Sequence, residues 1–236
     1  MFAVIFEVQP KSDKWQDYLD LAGQLRPELE KVEGFIDNER FRSLRTEGRV
    51  LSLSTWADEK ALIRWRTHAG HHGVQEKGRF AVFEDYHLRV GEIVADTLVP
   101  AEAPLQQQRF DSTAVGAAQM VTISEVDPFT ADPSTVEPPA ADQVAVEYAE
   151  ALAVQLGMPA VGESGVVAAE PFASITNPGK TLLLVSWRTA DVADAWMPPA
   201  MLVGVGRLRH RRVRVIRDYG LVDRREAPQY YPPVAR

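Results

Sequence analysis

GFIDNERFRSLRTEGRVLSLSTWADEKALIRW, residues 34–65, returns 131 positions later as GVVAAEPFASITNPGKTLLLVSWRTADVADAW, residues 165–196. Without gaps, Gly34 meets Gly165, Glu39 Glu170, Phe41 Phe172, Ser43 Ser174 and Gly48 Gly179. Further on, Leu51 meets Leu182, Leu53 Leu184, Trp56 Trp187 and Trp65 Trp196. Nine identities in 32 positions exceed the roughly two that chance gives at ~6% per position. The chain is therefore read as an internal duplication.

Working outward from the first copy, Phe35–Leu44 and Arg49–Trp56 alternate as strands, and Thr46-Glu47-Gly48 supplies the turn of a hairpin. Asp58 opens a helix through Ala61, Leu62 and Trp65. Upstream, Phe2–Val8 reads as a buried strand. Ser12 then caps a helix over about 13–32, with Trp15, Tyr18, Leu19, Ala22, Leu25 and Leu29 at helical spacing and Gly34 as its stop. Phe83–Val94 closes the unit as a long strand with Tyr86, Leu88 and Val90 on one face and His87 and Arg89 on the other. The order β-α-β-β-α-β is the split βαβ, or ferredoxin-like, unit.

The second copy follows the same order. A strand at Gln119–Val126, a Pro-rich loop at 127–141 and a helix at about 141–156 come first. Strands near 165–175 and 180–187, a short helix at 189–197 stopped by Pro198-Pro199, and a last strand over about 205–218 complete it. The organisation expected is thus a repeat at 1–97, a linker at 98–112, a degenerate repeat at 113–220 and a C-terminal arm at 221–236. A ferredoxin-like unit covers one sheet face with its helices and leaves the other bare. The fold class expected is therefore α+β, two ferredoxin-like repeats packed sheet-to-sheet within one chain, with any pocket between a sheet and its own helices.

Composition narrows the function. Of 236 residues, 45% are hydrophobic and 25% charged, which excludes global disorder. No apolar run reaches the ~18 residues of a membrane span, and MFAVIFEVQPKSDKW at the start lacks the basic region and cleavage site of a signal peptide. With no cysteine at all, thiolate chemistry and cysteine-held metals fall away, and the cytoplasm is the default location. Net charge is −3 over 1–100, −9 over 101–187 and +5 over 188–236, a balance that argues against nucleic-acid binding. The Arg-rich stretch RLRHRRVRVIRDYG, 207–220, reads as an exposed strand whose charges guard it from edge pairing. No phosphate-binding Gly-rich loop and no G-x-S-x-G elbow is present.

Three histidines, His68, His71 and His72, lie within five residues, followed by Glu76. On one continuous helix His68, His72 and Glu76 would share a face at metal-ligand spacing. Gly70 and Gly73 interrupt such a helix, each at about 1 kcal/mol relative to Ala, and surface or capping histidines are the plainer reading. Trp65 has two open readings, a pocket wall that stacks on a flat substrate or a core residue like Trp56. Arg79 reads as a surface charge or a stabiliser of a substrate oxyanion, and Tyr86 as a core residue or a hydrogen-bond donor to a carbonyl.

EGF at 33–35, LSTWADEKALIRW at 53–65, HAGHHGVQEKGR at 68–79, and Tyr86 with RVGEI at 89–93 make the first half resemble the antibiotic biosynthesis monooxygenase family. The second half resembles it through the repeat alone. The resemblance implies the dimeric α+β barrel, here closed within one chain. It implies a cofactor-independent monooxygenase that oxidises a small aromatic or polyketide-like compound with molecular oxygen, without metal or flavin. It also assigns roles: Trp65 against the substrate, Arg79 and Tyr86 on a substrate oxygen, and His68 or His72 as proton acceptor. The alternative is a non-catalytic binding or structural module of the same fold, and a dry cavity beside Trp65 discriminates the two. Haem-degrading relatives carry an Asn on the first strand and a His ten residues after the tryptophan. Here those places hold Glu7 and Gln75, and the second half offers His210 as its single histidine, so haem is the lesser option. The expected partner is a small molecule, with no nucleic acid and no membrane. A homodimer is compatible with the arm.

Overall fold

A computed structural model describes residues 1–128, 151–158, 160–198 and 206–231. The first half runs β1 (Phe2–Pro10), α1 (Trp15–Leu29), β2 (Phe35–Ser43), β3 (Val50–Trp56), α2 (Glu59–Thr67), α3 (Ala69–Lys77), a π-helical turn (Gly78–Val82) and β4 (Phe83–Asp96). The second half comprises β5 (Met120–Pro128), the helical residues 151–155 (α4), β6 (Val166–Ser174), β7 (Thr181–Trp187), α5 (Ala190–Ala195) and β8 (Gly206–Gly220). The expected loop at 127–141, most of the helix at 141–156 and the end of the arm lie outside the described residues.

The eight strands close into one barrel, ordered β1-β3-β2-β6-β7-β5-β8-β4. Each half contributes a four-stranded sheet, and the two face each other across a shared interior that includes Ile5, Leu53, Ile123 and Leu184. The sheets pack as the repeat implies, and they are also stitched edge to edge by β2·β6 and β4·β8. Closure removes the free edges that an open sheet would present.

The repeat identities find their reasons here. Gly34 and Gly165 both have positive φ, +85° and +77°, and a Cβ would press on Ala61 and Val192 of the helix that follows. Phe41, Phe172, Leu51 and Leu182 fill the interior, all at 0% exposure. Trp56 and Trp187 lie beneath the helices, their indole N–H groups donating to Ser54 and Thr122. Ser43 donates to Glu170 across the seam, and Ser174 donates to Glu39 in return.

Charge inside the barrel is paired just as symmetrically. Arg89 reaches Glu7 and the Ser186 hydroxyl, and Arg211 reaches Glu125 and the Thr55 hydroxyl. In each set the arginine and glutamate come from one half and the hydroxyl from the other, so each set ties the two halves together.

Three expectations need correcting. Helix α1 begins at Trp15, after Lys14 and without a side-chain cap from Ser12; a Lys14-to-Lys11 backbone turn occupies the stretch where capping was expected. Strand β8 is not an edge, because it bonds β4 on one side and β5 on the other. Four of its arginines are paired in place: Arg209 with Asp96, Arg211 with Glu125, Arg212 with Asp194 and Arg214 with Glu92. Helix α3 runs straight through Gly70 and Gly73, and the chain breaks instead at His68, whose ψ of 130° separates α2 from α3. The price of two helical glycines is met by tertiary contacts, in which His71 bonds the Trp65 carbonyl and Tyr231 stacks on His72.

The expected linker is also structured. Ala103 and Leu105 pack against the barrel interior, and the Gln108 and Arg109 amides donate to buried Glu92. Glu226 accepts from Thr113, Ala114 and Asp218, which fastens the chain after β8 to the segment before β5.

Candidate functional site

A cavity of about 210 Å³ lies between the outer face of the first-half sheet and its helices. Strand parity decides what faces it. Val4 and Phe6 of β1, Asn38 and Arg40 of β2, Ser52 and Ser54 of β3, and Tyr86 and Leu88 of β4 point out of the barrel into the cavity. Their neighbours Ile5, Leu53 and Arg89 point inward. Glu7, the first-strand residue singled out above, belongs to the barrel interior and its Arg89 pair.

Asp58 starts α2 by accepting the Ala61 amide proton, and that phase brings Leu62 and Trp65 to the cavity wall. Trp65 is half-buried, with the His71 ring stacked on it at 4.4 Å and 14°. The cavity beside Trp65 is thus present, and one ring face of the indole is already covered. The equivalent Trp196 is 8% exposed, lies 5.4 Å from Trp187 and donates to the Gly157 carbonyl. Among the described residues, the second-half indole is packed against its sheet, where its first-half equivalent borders a cavity.

Of the residues expected at the site, Trp65, Arg79 and Tyr86 come together on the cavity, and His68 and His72 do not. The helix break at His68 resets the phase, so that His71 is the histidine that faces inward. His68 stacks on Trp65 at 5.6 Å, and His72 on Tyr231 at 5.8 Å. The Trp65 carbonyl can only accept, so His71 carries its proton on Nδ1, 2.9 Å away, and leaves Nε2 as an acceptor beside Gln75. Burial lowers the His71 pKa to about 4, and the ring is neutral at physiological pH.

Arg79 is 3% exposed and donates to the Tyr86 hydroxyl at 3.3 Å. Arg224, which follows β8, donates to the same hydroxyl. Tyr231 lies under both guanidinium groups, at 5.6 and 5.3 Å, and its hydroxyl reaches His72 and Gln75. Gln229 donates to the Arg66 carbonyl. The segment after β8 therefore forms one wall of the cavity. Sequence reasoning missed Asn38, Arg224, Gln229 and Tyr231, since nothing local ties residues after 220 to a pocket in the first hundred.

Two other locations complete the picture. A charged cleft of about 360 Å³ opens beside Glu7 and Arg89, and its pairs Glu7–Arg89 and His87–Asp218 are satisfied within the protein. His210 is 3% exposed, bonds Ser124 through Nδ1 and has the Trp196 ring 5.5 Å away. Among the described residues no three His, Asp or Glu side chains converge on a metal position, and no helix is long and apolar enough to cross a membrane.

A sequence profile of the antibiotic biosynthesis monooxygenase family matches residues 1–77. The chain is 40% identical over 239 aligned residues to a Pyricularia oryzae protein named jasmonate monooxygenase ABM, the alignment covering all of both chains. It is 32% identical over 92 residues to the uncharacterised protein YqjZ of Bacillus subtilis, covering 39% of this chain and 78% of that one. A crystal structure of an aldoxime dehydratase with butyraldoxime superposes with a TM-score of 0.55 at 11% identity, over 91% of this chain and 79% of that one. At that identity the likeness concerns the tandem fold alone. Identity sustained along the whole length of a named relative, together with the profile match on the half that holds the cavity, places this chain in the antibiotic biosynthesis monooxygenase family.

Proposed function

We propose that the protein is a cofactor-independent monooxygenase that oxidises a small aromatic or polyketide-like ketone or phenol in the first-half cavity. The observation that carries this reading is an apolar, aromatic-walled cavity on which Arg79, Tyr86 and neutral His71 converge. Its 210 Å³ suits a compact molecule. Jasmonate, the compound in the name of the Pyricularia relative, is a small cyclic ketone and fits the same description.

The chemistry asks for little. A substrate with an acidic CH₂ beside a carbonyl loses a proton, and its enolate passes electrons to oxygen. The resulting peroxide collapses, one oxygen atom staying as a carbonyl and the other leaving as water. The substrate supplies all the electrons. Tyr86 and Arg79 hold the enolate oxygen by hydrogen bond and charge, His71 Nε2 accepts the proton, and Trp65 with Phe6 and Phe83 fixes orientation and excludes water. Because burial disfavours the charged imidazolium, His71 holds the proton only transiently.

The test is oxygen uptake with a panel of anthrones, quinols and cyclic ketones. Arg79→Ala is expected to lower kcat about 100-fold, the scale of one oxyanion donor, and His71→Gln by about 10²-fold or more. Trp65→Phe should alter KM more than kcat. Turnover unaffected by all three would place the reaction elsewhere in the molecule.

A further inference from the structure

Four guanidinium groups border the cavity, from Arg40, Arg66, Arg79 and Arg224, and no Asp or Glu lines it among the described residues. This is opposite in sign to the chain as a whole, whose net charge is −7. Elsewhere in the molecule Arg89 has Glu7, Arg211 has Glu125, and Arg214 has Glu92; at the cavity the contrast is drawn by Arg224. Positive charge beside apolar walls is costly unless it is paired. Arg40 is partly satisfied by Tyr18. Arg224 donates to the Tyr86 hydroxyl and to the carbonyls of Gly220 and Gln229, and it forms no salt bridge among the described residues.

We infer that the cavity takes an organic anion, a compact apolar molecule bearing one carboxylate, and that Arg224 is the residue that anchors the carboxylate. The inference rests on the oxygenase reading of this cavity and adds the substrate's charge and its anchor. Tyr86 is the meeting point, since Arg224 and Arg79 both donate to its hydroxyl. A carboxylate arriving there can accept from Arg224 and from the phenol together. The geometry of a planar fork suits a carboxylate better than a point charge would. Arg224 is delivered by a firmly held segment: the Leu221 amide donates to the Tyr86 carbonyl, and Leu221 itself is 2% exposed. Anion recognition is thereby assigned to the far end of the chain, and the chemistry to the first half.

Calorimetric titration of the full-length protein with matched acids and esters tests this: jasmonate against methyl jasmonate, and 3-cyclohexylpropionate against its methyl ester. Each acid is expected to bind about tenfold or more tightly than its ester, as a charge-assisted hydrogen bond requires. Arg224→Gln should weaken acid binding about 10- to 100-fold and leave ester binding within about twofold. Arg224→Lys should recover part of the acid affinity and none of the fork's selectivity. Equal affinity for acid and ester in the native protein overturns the inference. So does an equal loss for both in Arg224→Gln, which would mark a structural role. Oxygen uptake is read separately. Preferential acid binding without turnover of any compound would sink the oxygenase reading and leave the anion site standing.

Discussion

Glu125→Gln is expected to lose about 3–5 kcal/mol of unfolding free energy in urea at pH 7, the scale for breaking a buried ion pair by removing one partner. The carboxylate sits at 5% exposure between Arg211 and Lys180. The change removes the counter-charge of Arg211, at 1% exposure, and leaves it neutral acceptors such as the Thr55 hydroxyl, whereas Lys180 keeps Glu39 at 2.6 Å. Replacing both members, Glu125→Leu with Arg211→Met, should recover most of the loss, because the desolvation of two charges is removed together. The same pair predicts a pH dependence. Burial opposes the Glu125 charge, but Arg211 and Lys180 outweigh it and hold the pKa below its ordinary value. A depressed carboxylate stabilises the fold above its unfolded pKa, about 4.3, and that stability disappears as pH falls through the folded value. The gap between native protein and Glu125→Gln should therefore narrow below about pH 4. A gap that stays constant to pH 2.5, or a loss at pH 7 below about 1 kcal/mol, would contradict the pairing energetics.

The second large effect contrasts two equivalent tryptophans. Trp196→Ala should cost about 3–5 kcal/mol, as large-to-small changes in a packed core do, since the indole is 8% exposed, rests on Trp187 and bonds Gly157. Trp65→Ala should cost only about 1–2 kcal/mol, because its indole borders a cavity and buries less apolar surface on folding. The order of the two midpoints in urea is the measurement. Similar losses would mean that Trp65 is core in the same sense as Trp196. In that case the cavity would not be the feature that distinguishes the halves.

The duplication was legible because its identities record constraints that neighbouring residues share. Gly34 and Gly165 need positive φ, Phe41 and Phe172 fill the interior, and Glu39 and Glu170 answer serines across a seam. The site was legible in part. Trp65, Arg79 and Tyr86, which the family resemblance pointed to, do border the cavity, whereas which histidine faces it, His71 rather than His72, turned on a single residue, His68, leaving the helical region. Helical periodicity cannot register a one-residue break that tertiary bonds impose. The reading of 207–220 went astray for a similar reason. Alternating charge marks a strand beside water only when no acid comes to meet it, and Asp96, Glu92 and Asp194 arrive from strands and helices far away in sequence. Arg224 and Tyr231 were beyond any local pattern.

The seams β2·β6 and β4·β8 have a consequence for how such a molecule persists at low abundance. Were the halves separate chains, closure would be a bimolecular event, and dilution would open the barrel and expose two sheet edges on each piece. Joined through 98–112, the second half meets the first at an effective concentration in the millimolar range, whatever the protein's own concentration. Unfolding midpoints should accordingly be the same at nanomolar and micromolar protein. Covalent union also lifts an obligation that symmetry imposes. A homodimer built from one gene must carry two identical pockets, and a change that fills one fills the other. Here Trp196 packs onto Trp187 while its equivalent Trp65 stays beside an open cavity, a divergence between halves that two copies of one chain could not sustain.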